Sequence, residues 1–114
     1  MTIHHMKLSE PWFSLIKSGQ KTIEGRIYDD KRKLLQVGDT IIFTNQKMTD
    51  EIVREILDLK IFTGINSFDS ALRHAKLKNI LPGVKTYAEG VQIYHSIPGY
   101  EDGARDYGVI LIYI

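Results

Sequence analysis

The first predicted helix gives way to a strand at Gly19-Gln20-Lys21-Thr22-Ile23-Glu24-Gly25-Arg26. Within six positions this stretch carries an ammonium, a carboxylate and a guanidinium, directly after a glycine that can end a helix. Charged groups at such a junction can line a cleft instead of pointing into water. The stretch is therefore the first candidate for a functional site.

A short helix is expected just before this stretch. Pro11 suits a first helical turn, and Trp12, Leu15 and Ile16 fall on one helical face. Ser9 is the expected N-cap. Trp12 is more typical of a core residue than of a platform for stacking a base.

A strand is predicted over residues 21–29, with Glu24 and Arg26 on the same face. Lys21 is out of phase with Glu24 on a regular strand, so an ion pair between Glu24 and Arg26 is favoured and leaves Lys21 freer to act as a base. If Glu24 instead contacts Lys21, the ammonium stays charged and can anchor an anion or polarise a carbonyl.

The remaining pattern predicts one mixed α+β domain over residues 1–114. Residues 51–62 fit a helical stripe and a strand alternation equally well. A charged loop is expected after Pro98-Gly99. The other predicted elements are strands at Ile3–Leu8, Thr40–Asn45 and 107–114, and helices at 67–77 and 86–95.

The composition is that of a globular protein, with 43% hydrophobic and 25% charged residues. The chain has no cysteine, which excludes disulfides, zinc fingers and thiol catalysis. His4 and His5 point to opposite faces of a strand, so no metal site and no cofactor are expected. No membrane-spanning run and no signal core occur, so the expected location is the cytoplasm.

Positive charge is concentrated near the N-terminus, although the net charge is only +1. Residues 1–33 hold seven Lys or Arg and four Asp or Glu. Lys31-Arg32-Lys33, with Lys17, Lys21 and Arg26, could form a patch that attracts phosphate. The alternative is an ordinary solvated surface run.

The pattern Gly19-x-Lys21-x-x-Glu24-x-Arg26 resembles the signature of the ASCH domains, a branch of the PUA-like superfamily. The likeness extends over nearly the whole chain, to the small stand-alone archaeal and bacterial members. It is carried by Pro11-Trp12-Phe13, Val37-Gly38-Asp39, Leu81-Pro82-Gly83-Val84, Tyr94 and Tyr107-Gly108-Val109. The resemblance implies a PUA-like β-barrel of five or six strands flanked by short helices, with residues 51–62 as one long strand. It also implies a cleft between the first helix and the barrel.

The resemblance links the chain to RNA, because ASCH domains serve as ligand-binding modules and some members are hydrolases. One branch hydrolyses N4-acetylcytidine to cytidine and acetate. Its catalytic lysine matches Lys21, and its glutamate matches Glu89 in Thr86-Tyr87-Ala88-Glu89; its threonine position holds Glu24 here. Glu89 is equally well explained as the third residue of a capping box.

The combined interpretation is a domain that binds RNA, a nucleotide or a nucleoside in a charged cleft. Lys21 and Arg26 are expected to contact phosphate or a carbonyl, Glu24 to orient them or to bind an amino group of the base, and an aromatic residue to stack on the base. Tyr94, Tyr100 and Tyr107 could stack a base or hydrogen-bond it, and Tyr94 and Tyr107 are taken as further candidate ligand-binding residues. Aromatic residues near a last strand more often serve packing.

Two enzymatic hypotheses stand beside this interpretation. The first is an amidohydrolase in which Lys21, Glu24 and Glu89 are catalytic, and the weaker one is a ribonuclease that uses the same lysine. A role in contacting a protein partner, of unknown identity, stays open because a fold does not fix a function.

Overall fold

The computed structural model describes all residues from 1 to 114 and confirms the α+β class. Six strands and five helices alternate irregularly along the chain, and a 3-10 turn at Arg32–Leu34 lies between the second and third strands. In chain order the elements are β1 (Ile3–Leu8), α1 (Trp12–Lys17), β2 (Ile23–Ile27), β3 (Thr40–Asn45), β4 (Glu51–Glu55), β5 (Asp58–Phe62), α2 (Ser67–Ala75), α3 (Leu77–Ile80), α4 (Tyr87–His95), α5 (Tyr100–Tyr107) and β6 (Val109–Tyr113).

The strands form two three-stranded sheets, in the orders β1-β3-β4 and β2-β6-β5. Only the β1–β3 pair is parallel. The expected barrel is therefore not closed: β1 and β2 are both edge strands, and no backbone hydrogen bond joins them. The gap between these two edges is the opening in which the candidate site lies.

The strand β6 is the centre of its sheet and separates two hydrophobic cores. Ile110 and Ile112 pack with residues of β1, β3, β4 and α1. Val109 and Leu111 point the other way, toward α2, α3, α4 and α5. The continuous apolar sequence of β6 follows from this burial on both faces.

Residues 51–62 are extended, but they form two strands and not the single long strand that was expected. The amide of Ile56 donates to the Asp39 carbonyl, at 2.8 Å, at the end of the first sheet. The next amide, Leu57, donates to the Tyr113 carbonyl, also at 2.8 Å, in the second sheet. The chain thus changes sheets between these two residues.

Residues 100–107 form α5, and the expectation of a charged loop there was wrong. Glu101, Asp102 and Arg105 are exposed, whereas Ala104 is buried, so the charged residues occupy the outer face of an amphipathic helix. Because Tyr107 ends this helix, the last strand begins at Val109 and not at residue 107.

Two helix boundaries also differ from expectation. Ser9 is not the N-cap of α1; instead Oε1 of Glu10 accepts a hydrogen bond from the Ser14 amide at 3.0 Å. The helix predicted at 67–77 is divided at Lys76, whose φ of 71° lies in the left-handed region. None of the five helices has the length and apolar character needed to cross a membrane.

Candidate ligand-binding cavity

A cavity of about 290 Å³ lies where the free edges of β1 and β2 face each other. The helices α1 and α4 close its sides. Six of the lining side chains carry its chemistry: Trp12, Lys21, Glu24, Arg26, Tyr94 and Tyr100.

The turn after α1 directs Lys21 into the protein interior. Gly19 adopts a φ of 86°, which favours glycine, and the Lys21 amide then donates to the Leu15 carbonyl at 2.9 Å. The Lys21 side chain is only 1% exposed. Its Nζ donates to the carbonyl of Ile23 at 2.7 Å and to the carbonyl of Ile80. The turn therefore buries the Lys21 side chain, whose direction the strand pattern alone does not determine.

Glu24 lies at the centre of the charged network. Its Oε1 is 3.4 Å from Nζ of Lys21 and accepts hydrogen bonds from the Gly25 amide at 2.9 Å and the Tyr94 hydroxyl at 3.3 Å. Its Oε2 accepts from Nη2 of Arg26 at 3.3 Å. The carboxylate thus contacts both cations. The favoured pair of Glu24 with Arg26 is present, but Lys21 also contacts Glu24 and is not left free as that pairing implied.

Arg26 spans the gap between the two sheet edges. Its Nη2 also donates to the Lys7 carbonyl in β1, at 2.8 Å, and its side chain is 12% exposed. Both of these hydrogen bonds use the same nitrogen. Tyr100 also interacts with the guanidinium: against desolvation by burial, the charge of Glu24 and this hydrogen bond help to raise the pKa of Arg26. The guanidinium has five N–H donors, so these contacts do not use all of them.

Burial and charge act in opposite directions on the ionisable groups. Desolvation lowers the pKa of Lys21, opposed by the neighbouring charge of Glu24. Burial alone favours the neutral form of Glu24, but the positive charges of Lys21 and Arg26 together lower the pKa of that carboxyl. Burial, helped by Glu24, raises the pKa of Tyr94 well above its usual value. The network is therefore a carboxylate held between two cations and a neutral phenol.

Tyr94 is held by aromatic packing and directs only its hydroxyl toward the cavity. Its ring stacks on Phe68 with centroids 4.5 Å apart, and Tyr100 lies nearly parallel at 6.5 Å. Trp12 occupies the opposite side, with its ring centroid 5.9 Å from Nζ of Lys21. Trp12 and Tyr100 are both half-buried and line the cavity.

The structure brings four predicted site residues together, namely Lys21, Glu24, Arg26 and Tyr94. It places Glu89 elsewhere: this side chain is exposed in the first turn of α4, where its amide donates to Oγ1 of Thr86 at 3.1 Å. Tyr107 is 56% exposed and lines a neighbouring hollow instead of the cavity.

Sequence reasoning missed two lining residues. Trp12 was assigned to the core, although its position beside the charged signature was a usable signal. Tyr100 was a possible base-contacting residue but was assigned to packing, and the segment that carries it, α5, was expected to be a loop. The predicted positive patch is also divided: Lys21 is buried, whereas Lys17 pairs with Asp50 at 2.5 Å. No three His, Asp or Glu side chains converge where they could hold a metal ion.

Comparisons with known protein families and solved structures agree on the family of this chain. A family model described as the ASCH domain matches residues 6–113. The crystal structure of the hypothetical protein PH0355 is similar, with a TM-score of 0.83 and 34% identity over 98% of this chain and 96% of that one. The solution NMR structure of protein PF0455 from Pyrococcus furiosus has a TM-score of 0.72 and 33% identity, covering 98% and 94%. No functionally curated protein matched. The chain belongs to the ASCH domain family, which supports an RNA-binding or related function.

Proposed function

We propose that the cavity binds one nucleoside or nucleotide unit of an RNA ligand. The observation that carries the proposal is the buried Lys21–Glu24–Arg26 network beneath a cavity that has Trp12 on its wall. The volume of about 290 Å³ corresponds to roughly ten water molecules, at about 30 Å³ each. This space suits a base with its sugar and is too small for a duplex.

Arg26 is the group that best fits a ligand oxygen. Glu24 and the Lys7 carbonyl hold it through Nη2, and Tyr100 also interacts with the guanidinium. The N–H donors that remain can bind a base carbonyl or a phosphate. Glu24 already accepts from four donors, which makes it a positioning group for Arg26. The Trp12 ring offers a face on which a base can stack.

Lys21 supplies a fixed positive charge in this arrangement. An ammonium has three donors, and here the carbonyls of Ile23 and Ile80 and the carboxylate of Glu24 take all three. A direct hydrogen bond to the ligand would require one of these contacts to break. Lys21 therefore acts on the ligand mainly through the network.

The single tryptophan gives a direct test. Trp12 is the only tryptophan in the chain, so its fluorescence reports occupancy of the cavity. We expect single-stranded RNA and at least one ribonucleoside to change it, and Arg26→Gln to weaken binding about tenfold or more. Arg105→Gln, which removes an exposed guanidinium on α5, is the matched control and should bind as the wild type does. Saturating ligand with no fluorescence change, or equal affinity for the Arg26 variant, would contradict the proposal.

Hydrolysis of N4-acetylcytidine is the second candidate, favoured by the lowered pKa of the buried Lys21 in the cavity wall. In this reaction water adds to the carbonyl carbon of the acetyl group and the C–N bond breaks. The exocyclic nitrogen takes up a proton and leaves as the amine of cytidine, while the acetyl group and the oxygen of the water form acetate. Lys21 and Glu24 would carry the proton transfers.

The ultraviolet spectrum of N4-acetylcytidine follows this reaction directly. Turnover that Lys21→Met abolishes and Lys60→Met retains would support it. Glu89→Gln tests the third residue implied by the resemblance, which lies on the surface of α4. Shortening of the RNA in the binding assay would instead indicate the weaker ribonuclease hypothesis.

A further inference from the structure

A second hollow of about 480 Å³, which we call the side groove, adjoins the cavity. Arg26, Ile97 and Tyr100 line both spaces, so the two hollows meet along these side chains. The side groove is the more open of the two. The side groove is therefore the neighbouring space for a ligand that extends beyond the cavity at Arg26.

The side groove carries a net positive charge close to that junction. Arg26 and Arg32 line it, and Asp29 is the only carboxylate among its lining residues. The exposed Glu101 and Asp102 lie on the adjacent first turn of α5. Arg32 is paired with Asp29, whereas Arg26 shares Glu24 with Lys21, so one positive charge is left over in this region. This excess fits a single negative charge, such as a phosphodiester.

Arg32 is held by Asp29 without using its full donor set. Oδ2 of Asp29 accepts from Nη1 at 3.1 Å, a one-nitrogen contact instead of the two-nitrogen fork. Nε of Arg32 is buried and has no hydrogen-bond partner. A buried donor without an acceptor is rare in proteins. The buried Nε is out of reach of a ligand, but the terminal nitrogens keep N–H donors that the single contact with Asp29 does not use, and a second anion could bind these.

An aromatic ring completes the side groove. Tyr107, at the end of α5, lines it and is 56% exposed. An exposed aromatic face beside cationic side chains is the arrangement on which single-stranded nucleic acids stack their bases. The ring packs against neither core, so its position is not explained by stability alone.

We propose that the side groove binds the nucleotide next to the one in the cavity, with the linking phosphodiester between Arg26 and Arg32 and the second base against Tyr107. This inference rests on the proposed function and names its ligand class as single-stranded RNA of at least two nucleotides. A free nucleoside uses only the cavity.

The test compares each ribonucleoside with its dinucleoside monophosphate, using Trp12 fluorescence. We expect the dinucleoside monophosphate to bind about tenfold more tightly, the size of effect that one stacked base gives. Arg32→Gln and Tyr107→Ala should each reduce this advantage without changing nucleoside affinity. Arg105→Gln, on the same helix as Tyr107, should retain it.

Salt dependence separates the contribution of charge from that of stacking. The affinity for the dinucleoside monophosphate should fall as the salt concentration rises. Arg32→Gln should reduce the slope of log affinity against log salt concentration by close to the value expected for one phosphate contact. Tyr107→Ala should leave the salt dependence unchanged.

The outcomes distinguish the two proposals. Equal affinity for nucleoside and dinucleoside monophosphate in the wild-type protein would leave the cavity proposal intact. It would overturn the proposal that the side groove binds a second nucleotide. An advantage that survives both Arg32→Gln and Tyr107→Ala would overturn it as well. If neither probe binds, both proposals fail.

Discussion

Nζ of Lys21 lies 3.4 Å from Oε1 of Glu24, and the two side chains are only 1% and 6% exposed. Withdrawing both charges from water is costly, and their mutual attraction offsets that cost only when the remaining donors and acceptors are also satisfied. Here they are: two carbonyls accept from the ammonium, while Gly25, Tyr94 and Arg26 donate to the carboxylate. The pair thus holds together a network in which each polar group has a partner. Removing either charge should therefore change the free energy of unfolding measurably.

Removing the ammonium with nearly unchanged volume should be strongly destabilising. Lys21→Met leaves Glu24 with one cation and strips the Ile23 and Ile80 carbonyls of their donor. We expect the free energy of unfolding to fall by about 3 kcal/mol. Urea denaturation measures it.

Lys60→Met is the matched control, because Lys60 is half-exposed and its partner Asp58 is 3.8 Å away. It should change the free energy of unfolding by less than about 1 kcal/mol. The double variant Lys21→Met/Glu24→Gln should cost less than the sum of its single variants, since it leaves no unpaired carboxylate. Strict additivity would show that the two side chains do not interact.

Acid should weaken the protein through Glu24. The folded protein lowers the pKa of this carboxyl below its ordinary value of 4.5, so its stabilising contribution is complete above that pH and is lost as the pH falls further. Asp39, whose pKa its hydrogen bond with His4 also lowers, adds to the same decline. Glu24→Gln should therefore lose less stability than the wild type between about pH 5 and pH 3. Thermal unfolding across this range gives the change of stability with pH for each protein. An identical pH dependence in the wild type and the variant would contradict the role given to Glu24.

Gly25 is expected to tolerate no side chain. A Cβ at this position would lie 3.1 Å from the Tyr94 hydroxyl oxygen and 3.4 Å from Cδ1 of Ile80. Gly25→Ala should displace Tyr94 from Glu24, destabilise the fold by about 1–3 kcal/mol and weaken ligand binding. Urea denaturation and equilibrium dialysis with labelled RNA measure the two effects. Wild-type stability and affinity together would show that the tyrosine moves freely.

Trp12 should contribute to binding through its ring. We expect Trp12→Ala to reduce RNA affinity about tenfold, as the loss of one stacking contact does. Equilibrium dialysis is the appropriate measurement, because the variant has no tryptophan fluorescence. Trp12→Phe should retain part of the affinity, since a smaller aromatic face remains. An alanine variant that binds RNA as tightly as the wild type would show that the Trp12 ring does not contact the ligand.

The local sequence was sufficient where short-range chemistry decides structure. Gly19 ends the first helix as predicted, and Thr86 caps α4 by accepting from the Glu89 amide. The shared face of Glu24 and Arg26 follows from the two-residue period of a strand. These features depend on backbone preferences within a few residues, and a sequence records them directly.

Only the tertiary structure decided what surrounds those residues. The carbonyl of Ile80 that holds Lys21, the hydroxyl of Tyr94 and the ring of Tyr100 come from parts of the chain about 60 to 80 positions away. The sheet change at Ile56–Leu57 and the unpaired edges of β1 and β2 are likewise set by long-range pairing, and they open the cavity. The charged signature determines which ionisable groups are present, whereas burial determines their partners. Desolvation makes every unpaired buried charge costly, so the fold places these groups where each has a partner.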